Sequence, residues 1–281
     1  MRSGWSTALV IAQLTLVRLF RGRAVWVSVV IAALPIVFAS AVRAQGQHSN
    51  MQVDVLVFQT LLLAVLPAMF VASSIGEDIE DRTTTYLWSR PVPRWSVLAG
   101  KLVALAPLSA ALVVGSWIAS VFAGTHAMPS GLSILALATG AIAVCLVSAG
   151  IASLVPKHGM PLTIAYMLFF DIPVGVMPVS LAELSVTHQL RALAQVVPEI
   201  RDAPSGGAIG LAVLGTIWLG IALWRIRRLE AERPTGGNRT LASPLRAELS
   251  RGSRARTGSA ARARPRRPHR PLGSDRAGCP R

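Results

Sequence analysis

The sequence predicts an all-α membrane protein with six transmembrane helices. The chain is 52% hydrophobic and only 15% charged, with a mean hydropathy of +0.53, which is too apolar for a water-soluble domain of 281 residues. Six apolar stretches are each long enough to cross the roughly 30 Å of hydrocarbon in a bilayer. The loops between these stretches alternate between rich and poor in basic residues, which independently favours six spans.

The apolar stretches divide the chain into a leading segment, a membrane domain of residues 24–233 and a tail. The predicted spans cover residues 24–42, 55–75, 95–123, 131–155, 160–179 and 208–224. Residues 1–23 are predicted to form an amphipathic helix in the membrane interface, because Arg18, Arg21 and Arg23 follow its apolar run. A secretory signal peptide would carry its positive charge before that run. The alternative is an extension of the first span.

A mixed stretch, residues 180–207, separates the fifth and sixth spans. Leu181, Leu184, His188, Arg191 and Gln195 recur at helical spacing, so this stretch predicts a second interfacial helix.

An even number of spans places both termini on the same side, and the basic residues indicate which side that is. Only Arg43, Arg191 and Arg201 fall on one side. The other side carries Arg18, Arg21, Arg23, Arg82, Arg90, Arg94, Lys101, Lys157, Arg225, Arg227 and Arg228. The positive-inside rule therefore predicts a multi-pass protein of the plasma (inner) membrane with both termini in the cytoplasm.

The formal charge of +15 lies mostly in the tail. Residues 225–281 contain 16 arginines and four acidic residues, so +12 of the total belongs to them. Residues 234–281 are rich in Arg, Pro, Ser and Gly and predict a disordered tail that contacts anionic membrane lipids. No aromatic residues are interleaved with these charges, so no specific nucleic-acid binding is expected.

The motifs of soluble enzymes are missing from the sequence. Two cysteines, Cys145 and Cys279, exclude a disulfide framework, and five scattered histidines form no zinc motif. A phosphate-binding loop is also missing, since the one Gly-Lys pair, Gly100 and Lys101, lacks the preceding glycine and the following Ser or Thr. The chain is therefore not expected to be an enzyme or to bind a metal or other cofactor. Energy from nucleotide would have to come through another polypeptide.

One densely charged segment, residues 77–101, interrupts the apolar sequence. Its acidic residues cluster at the start and its basic residues at the end, as suits a helix dipole. Its apolar and contact-forming positions share one face at spacings of three and four. These positions are Ile79, Thr83, Tyr86, Leu87 and Arg90. Pro91 and Pro93 end the predicted helix. We interpret it as a cytoplasmic helix held against the membrane, with one face offered to a soluble partner.

Asp171 is the one acidic residue inside a predicted span. An acid at the bilayer centre costs about 2.5–3.5 kcal/mol on insertion scales, so Asp171 needs a cavity, a partner or an interfacial position. Pro173, Gly175 and Pro178 predict that the fifth helix breaks nearby. Two interpretations stay open: Asp171 caps this break and stabilises the fold, or it lines a substrate path.

The charged segment resembles the loop between the second and third spans of ABC-2-type transporter permeases. The matching residues are Glu77, Asp78, Glu80, Arg82, Thr84, Tyr86, Leu87, Arg90, Pro91, Arg94, Gly100 and Lys101. Arg21-Gly22-Arg23 and the six-span plan also match, so the resemblance covers residues 5–230. Thr83 departs from the pattern, since many family members have Gly there.

The resemblance implies that two permeases, identical or related, form the membrane unit of an exporter. Two cytoplasmic ATPase subunits would bind beneath and supply ATP and Mg. The charged segment would be the coupling helix between spans two and three, with Pro91 and Pro93 fixing its angle. The residues implied as ATPase contacts are Glu77, Asp78, Glu80, Arg82, Tyr86, Leu87 and Arg90.

Three other functions are compatible with a membrane protein of this size. An ion- or proton-coupled secondary transporter would use Asp171, but it predicts further intramembrane acids or inverted repeats. A membrane-embedded enzyme would need clustered His, Asp or Ser residues within the spans. A membrane anchor would depend on its basic tail. The cargo is not encoded in any recognisable motif, because lipid-facing and substrate-facing apolar residues look alike.

Overall fold

The computed structural model describes residues 4–46, 51–75, 94–177, 180–196 and 203–231. Every regular element within these ranges is helical, which confirms the predicted fold class. Six of the helices are long and apolar enough to cross a membrane. These spans, numbered one to six below, are Val25–Ala44, Met51–Ile75, Trp95–Thr125, Gly131–Leu154, Pro156–Val176 and Pro204–Arg228. Spans two, five and six begin at Met51, Pro156 and Pro204, a turn earlier than predicted, because the helices extend beyond their apolar sequence.

A separate N-terminal helix, Gly4–Arg21, precedes the helix of span one, Arg23–Ala44. Gly22 lies between them in an extended conformation, which divides the two helices. The N-terminal helix buries Ala8 and Ala12 and exposes Leu9, Leu14 and Phe20. Its position in a membrane interface stays a prediction.

Spans two and four form the centre of the bundle. Within the most apolar 18-residue stretch of each span, 72% of the residues in span two and 67% in span four are buried. The corresponding values for spans one, five and six are 28%, 28% and 22%. Span three, on the helix Arg94–Thr125, is intermediate at 50%. Spans one, five and six therefore present most of their apolar side chains outward, as helices in contact with lipid do.

Spans two and five each contain a π-helical turn. In span two the helix Met51–Pro67 is followed by the turn Ala68–Ala72. In span five the turn Met167–Asp171 joins the helices Gly159–Tyr166 and Ile172–Val176. Pro173 has no N–H to donate to the carbonyl of Phe169, so the regular α-helical ladder cannot continue through this turn. The predicted break near Asp171 is thus a widened turn, and the helix ends at Val176.

The connection between spans five and six contains a 3₁₀ turn, Ser180–Leu184, and a helix, Val186–Ala194, called the short helix below. The predicted helix is present, but it is not a surface element. Val186, Leu190 and Leu193 are buried against the bundle. Leu181 and Leu184 lie in the preceding 3₁₀ turn and are exposed. The spacing of Leu181 and Leu184 therefore did not identify the face of the short helix that is buried.

Candidate functional site

The predicted coupling helix falls within residues 76–93, which lie outside the described residues. This applies to the predicted partner contacts and to the prolines that end the helix. They are Glu77, Asp78, Glu80, Arg82, Tyr86, Leu87, Arg90, Pro91 and Pro93. What the structure describes is the base of this segment, where span two ends at Ile75 and the span-three helix begins at Arg94.

Lys101 joins the two sides of this base. Its side chain is 7% exposed, and its Nζ donates a hydrogen bond to the backbone oxygen of Ser74 in the last turn of span two. A cation at this position also suits the negative end of the span-two helix dipole. The ammonium group of Lys101 therefore holds spans two and three together at this base.

Gly100 attaches the N-terminal helix to the same part of span three. A Cβ at Gly100 would lie 2.5 Å from the Ala8 backbone oxygen and 3.0 Å from the Ile11 Cβ. The two helix backbones can approach this closely only because residue 100 has no side chain. The contact continues at Trp5 and Trp95, whose ring centroids are 5.5 Å apart in an edge-to-face arrangement.

Gly100 and Lys101 therefore bring three elements together: the N-terminal helix, the end of span two and the start of span three. The sequence resemblance included both residues but did not show which helices they contact. Lys101 contacts a residue 27 positions earlier in the sequence, and Gly100 contacts residues more than 80 positions earlier. The role of the two residues in packing helices together is therefore visible only in the fold.

At the predicted outer side, Asp171 is fully buried and binds the start of the short helix. One carboxylate oxygen accepts a hydrogen bond from the Val186 N–H at 2.8 Å. The other accepts from the Thr187 N–H at 3.0 Å and from the Thr187 hydroxyl at 2.7 Å. In addition, the Ser185 hydroxyl donates to the Asp171 backbone oxygen at 2.9 Å.

Asp171 of span five thus caps the N-terminus of the short helix. The first N–H groups of a helix have no partner within it, and a carboxylate also favours the positive end of the helix dipole. Asp171 therefore caps the short helix and not the break in span five, where its side chain makes no capping hydrogen bond. These contacts support the stabilising role that one interpretation gave it. Its place on a substrate path stays a prediction.

Glycines on three spans form the seat of the short helix. Gly140 of span four contacts Leu190, and Gly210 of span six contacts Gln189. A Cβ at Gly207 would lie 2.6 Å from the Gln189 backbone oxygen. At Gly175 of span five a Cβ would lie 2.5 Å from the Ser185 Oγ. The short helix thus lies deep between spans four, five and six.

A third set of polar contacts lies inside spans one to three and was missed at the sequence level. The Gln59 amide donates to the Val113 backbone oxygen at 2.7 Å, and the Ser116 hydroxyl donates to that of Ala32 at 2.6 Å. The Gln59 Oε1 is buried and has no hydrogen-bond partner among the described residues. Gln59, inside the second apolar stretch, was the available signal, since intramembrane polar residues are uncommon.

The described residues contain no group of three or more His, Cys, Asp or Glu side chains that could hold a metal ion. The sites that they do contain position helices. One lies at the base of spans two and three, and the other at the end of span five.

These features define a polytopic membrane protein in which spans two and three are joined at the base of a charged connecting segment. The chain belongs to the ABC-2 family transporter proteins, whose family model matches residues 16–184. It is thus a membrane permease component of an ABC-2 transporter. The match includes spans one to five, and the short helix and span six follow it. A comparison with curated proteins gave no match.

Proposed function

We propose that this chain is the membrane-spanning subunit of an ABC-2 exporter whose energy comes from a separate cytoplasmic ATPase. Membership of the family supports the transporter assignment. The observation that carries the coupling proposal is the joined base at Gly100 and Lys101. A segment inserted between spans two and three moves both as one unit when its two ends are held together.

The proposed stroke begins when the ATPase pair closes on ATP and Mg and displaces the segment of residues 76–93. Because Lys101 links span three to the Ser74 carbonyl, the displacement reaches both spans. The N-terminal helix follows, since its backbone is in contact with span three at Gly100. A rigid-body movement of packed helices is a known mode of switching in proteins.

The proposed ATPase contacts are the residues that the sequence resemblance implied. They are Glu77, Asp78, Glu80, Arg82, Tyr86, Leu87 and Arg90. Pro91 and Pro93 would fix the angle between this segment and span three. A second copy or a related permease would complete the membrane unit, in a plasma membrane with both termini cytoplasmic.

A charge reversal at Glu80 tests this proposal. In Glu80→Lys, we expect the co-purified ATPase activity to fall by at least about tenfold, because charge-assisted contacts to the ATPase become repulsive. Asp81→Lys is the matched control, since it makes the same charge change one residue away at a position outside the proposed contacts. Both variants should insert into the membrane as the wild type does.

The measurement is vanadate-sensitive ATP hydrolysis by the ATPase that co-purifies with the full-length tagged chain from its own membranes. Mass spectrometry should identify a bound protein with a phosphate-binding loop. The proposal is wrong if Glu80→Lys retains wild-type ATPase activity, or if both variants lose it equally. Solute movement by the purified chain without any ATPase would instead support the secondary transporter that uses Asp171.

A further inference from the structure

The last two turns of span six present an arginine held over an exposed indole ring. The Arg228 guanidinium carbon lies 4.3 Å from the centroid of the Trp224 ring. Trp224 is 51% exposed, and Arg228 is also exposed. Leu223 and Ile226 pack against the hydrophobic core and so fix the rotation of the helix. Trp224 and Arg228 consequently face away from the bundle as a preformed pair.

Arg225 lies beside this pair and has lost part of its hydration. Its side chain is half-buried, and its Nε is buried without a hydrogen-bond partner in the described part of the chain. A partly desolvated cation without a matching acceptor is costly, and an anion at the remaining guanidinium nitrogens offsets that cost. The next acidic residue in the sequence is Glu230.

The length of span six places this cluster at the level of the lipid head groups. Span six has 25 residues, Pro204–Arg228. At 1.5 Å per residue it is about 37 Å long, whereas the hydrocarbon core is about 30 Å thick. Because Arg225, Arg227 and Arg228 all lie at this end of the helix, we expect the excess length here, and an indole ring is a typical side chain at that boundary.

We propose that Trp224, Arg225 and Arg228 bind the head group of an anionic phospholipid at this end of span six. The guanidinium groups donate hydrogen bonds to the phosphodiester oxygens, a geometry that suits arginine better than lysine. The indole ring lies against the glycerol backbone and the upper acyl chain. This binding site is independent of the proposed coupling to an ATPase.

Arg227 provides a matched control on the same turn. At 100° per residue, Arg227 lies about 160° around the helix from Arg225, whereas Arg228 lies about 60° from it. Arg227 is exposed and carries the same charge. A site built by Trp224, Arg225 and Arg228 should depend little on Arg227, whereas a diffuse attraction between basic residues and lipid should depend on all three arginines equally.

The test is native mass spectrometry of the full-length protein in neutral detergent, titrated with phosphatidylglycerol or phosphatidylcholine. We expect the wild type to prefer phosphatidylglycerol. Arg225→Gln and Arg228→Gln should each weaken its binding about tenfold, and Arg227→Gln less than about twofold. Arg225→Lys keeps the charge and should lose an intermediate amount of phosphatidylglycerol binding. This graded result would show that the loss in Arg225→Gln does not come from misfolding.

Four outcomes would overturn the proposal. Equal losses in the three Gln variants would show diffuse attraction. Equal binding of phosphatidylcholine would show no recognition of charge. Binding of glycerol phosphate as tight as that of phosphatidylglycerol would indicate a soluble phosphate ligand. Loss of the bound ATPase in Arg225→Gln, with lipid binding unchanged, would identify the cluster as a protein contact.

Discussion

Asp171 illustrates how single residues are accommodated in this apolar bundle. A buried carboxylate needs several donors, and here two backbone N–H groups and one hydroxyl supply them from Val186 and Thr187. The sequence located the acid and the prolines around it. It could not locate the donors, because backbone N–H groups leave no trace in composition and become available only when a helix begins opposite Asp171.

Asp171→Asn should lower the free energy of unfolding by about 1.5–3 kcal/mol, because its amide nitrogen replaces an oxygen that accepts hydrogen bonds. Denaturant titration of the purified protein in lipid nanodiscs measures this change. Asp54→Asn is the matched control, since Asp54 is an exposed carboxylate of span two. It should change stability by no more than about 0.5 kcal/mol. Equal effects in the two variants would argue against the capping role.

At the scale of elements, the glycines distinguish the part of a helix that lies against a neighbour from the part with open space beside it. Span three contains Gly100, whose position against Ala8 leaves no room for a side chain, and Gly115, with no atom within 4 Å of a Cβ built there. Hydropathy does not separate these two glycines, and the family resemblance included Gly100 without indicating what it contacts. Hydropathy and length predicted where span three runs, but the side on which the N-terminal helix lies depends on tertiary packing.

Gly100→Ala should destabilise the protein by about 1–3 kcal/mol, because the new methyl group meets a backbone oxygen that cannot rotate away. In contrast, Gly115→Ala should be neutral or stabilising by up to about 1 kcal/mol, since alanine favours a helix. Thermal and denaturant unfolding in nanodiscs compare the two. If both variants were stabilised, the close contact with the N-terminal helix would be absent.

At the scale of the whole molecule, the spans were predictable because the bilayer sets their length and excludes unpaired backbone groups. The alternation of basic residues also predicted an orientation, which stays a prediction. What the sequence could not supply is the order of burial. The central position of spans two and four follows from side-chain packing and not from hydropathy, which is nearly equal for spans one, two and four.

The predicted orientation can be measured with two single-cysteine variants. Met128 and Lys157 are both exposed, at opposite ends of span four. In a Cys279→Ser background, Met128→Cys should react with a membrane-impermeant maleimide in intact cells. Lys157→Cys should react only after permeabilisation. The reverse pattern would invert the topology and place residues 76–93 outside the cell. Native Cys145 is buried and should stay unlabelled.

The glycine seat of the short helix also has a consequence for biosynthesis. One wall of that seat, at Gly207 and Gly210, belongs to a span that the ribosome makes after the short helix itself. We expect this corner to be completed last, so that released chains truncated at residue 203 expose Leu193 to protease and full-length chains protect it. Protection already present in the truncated chains would mean that Asp171 and spans four and five suffice to hold the helix.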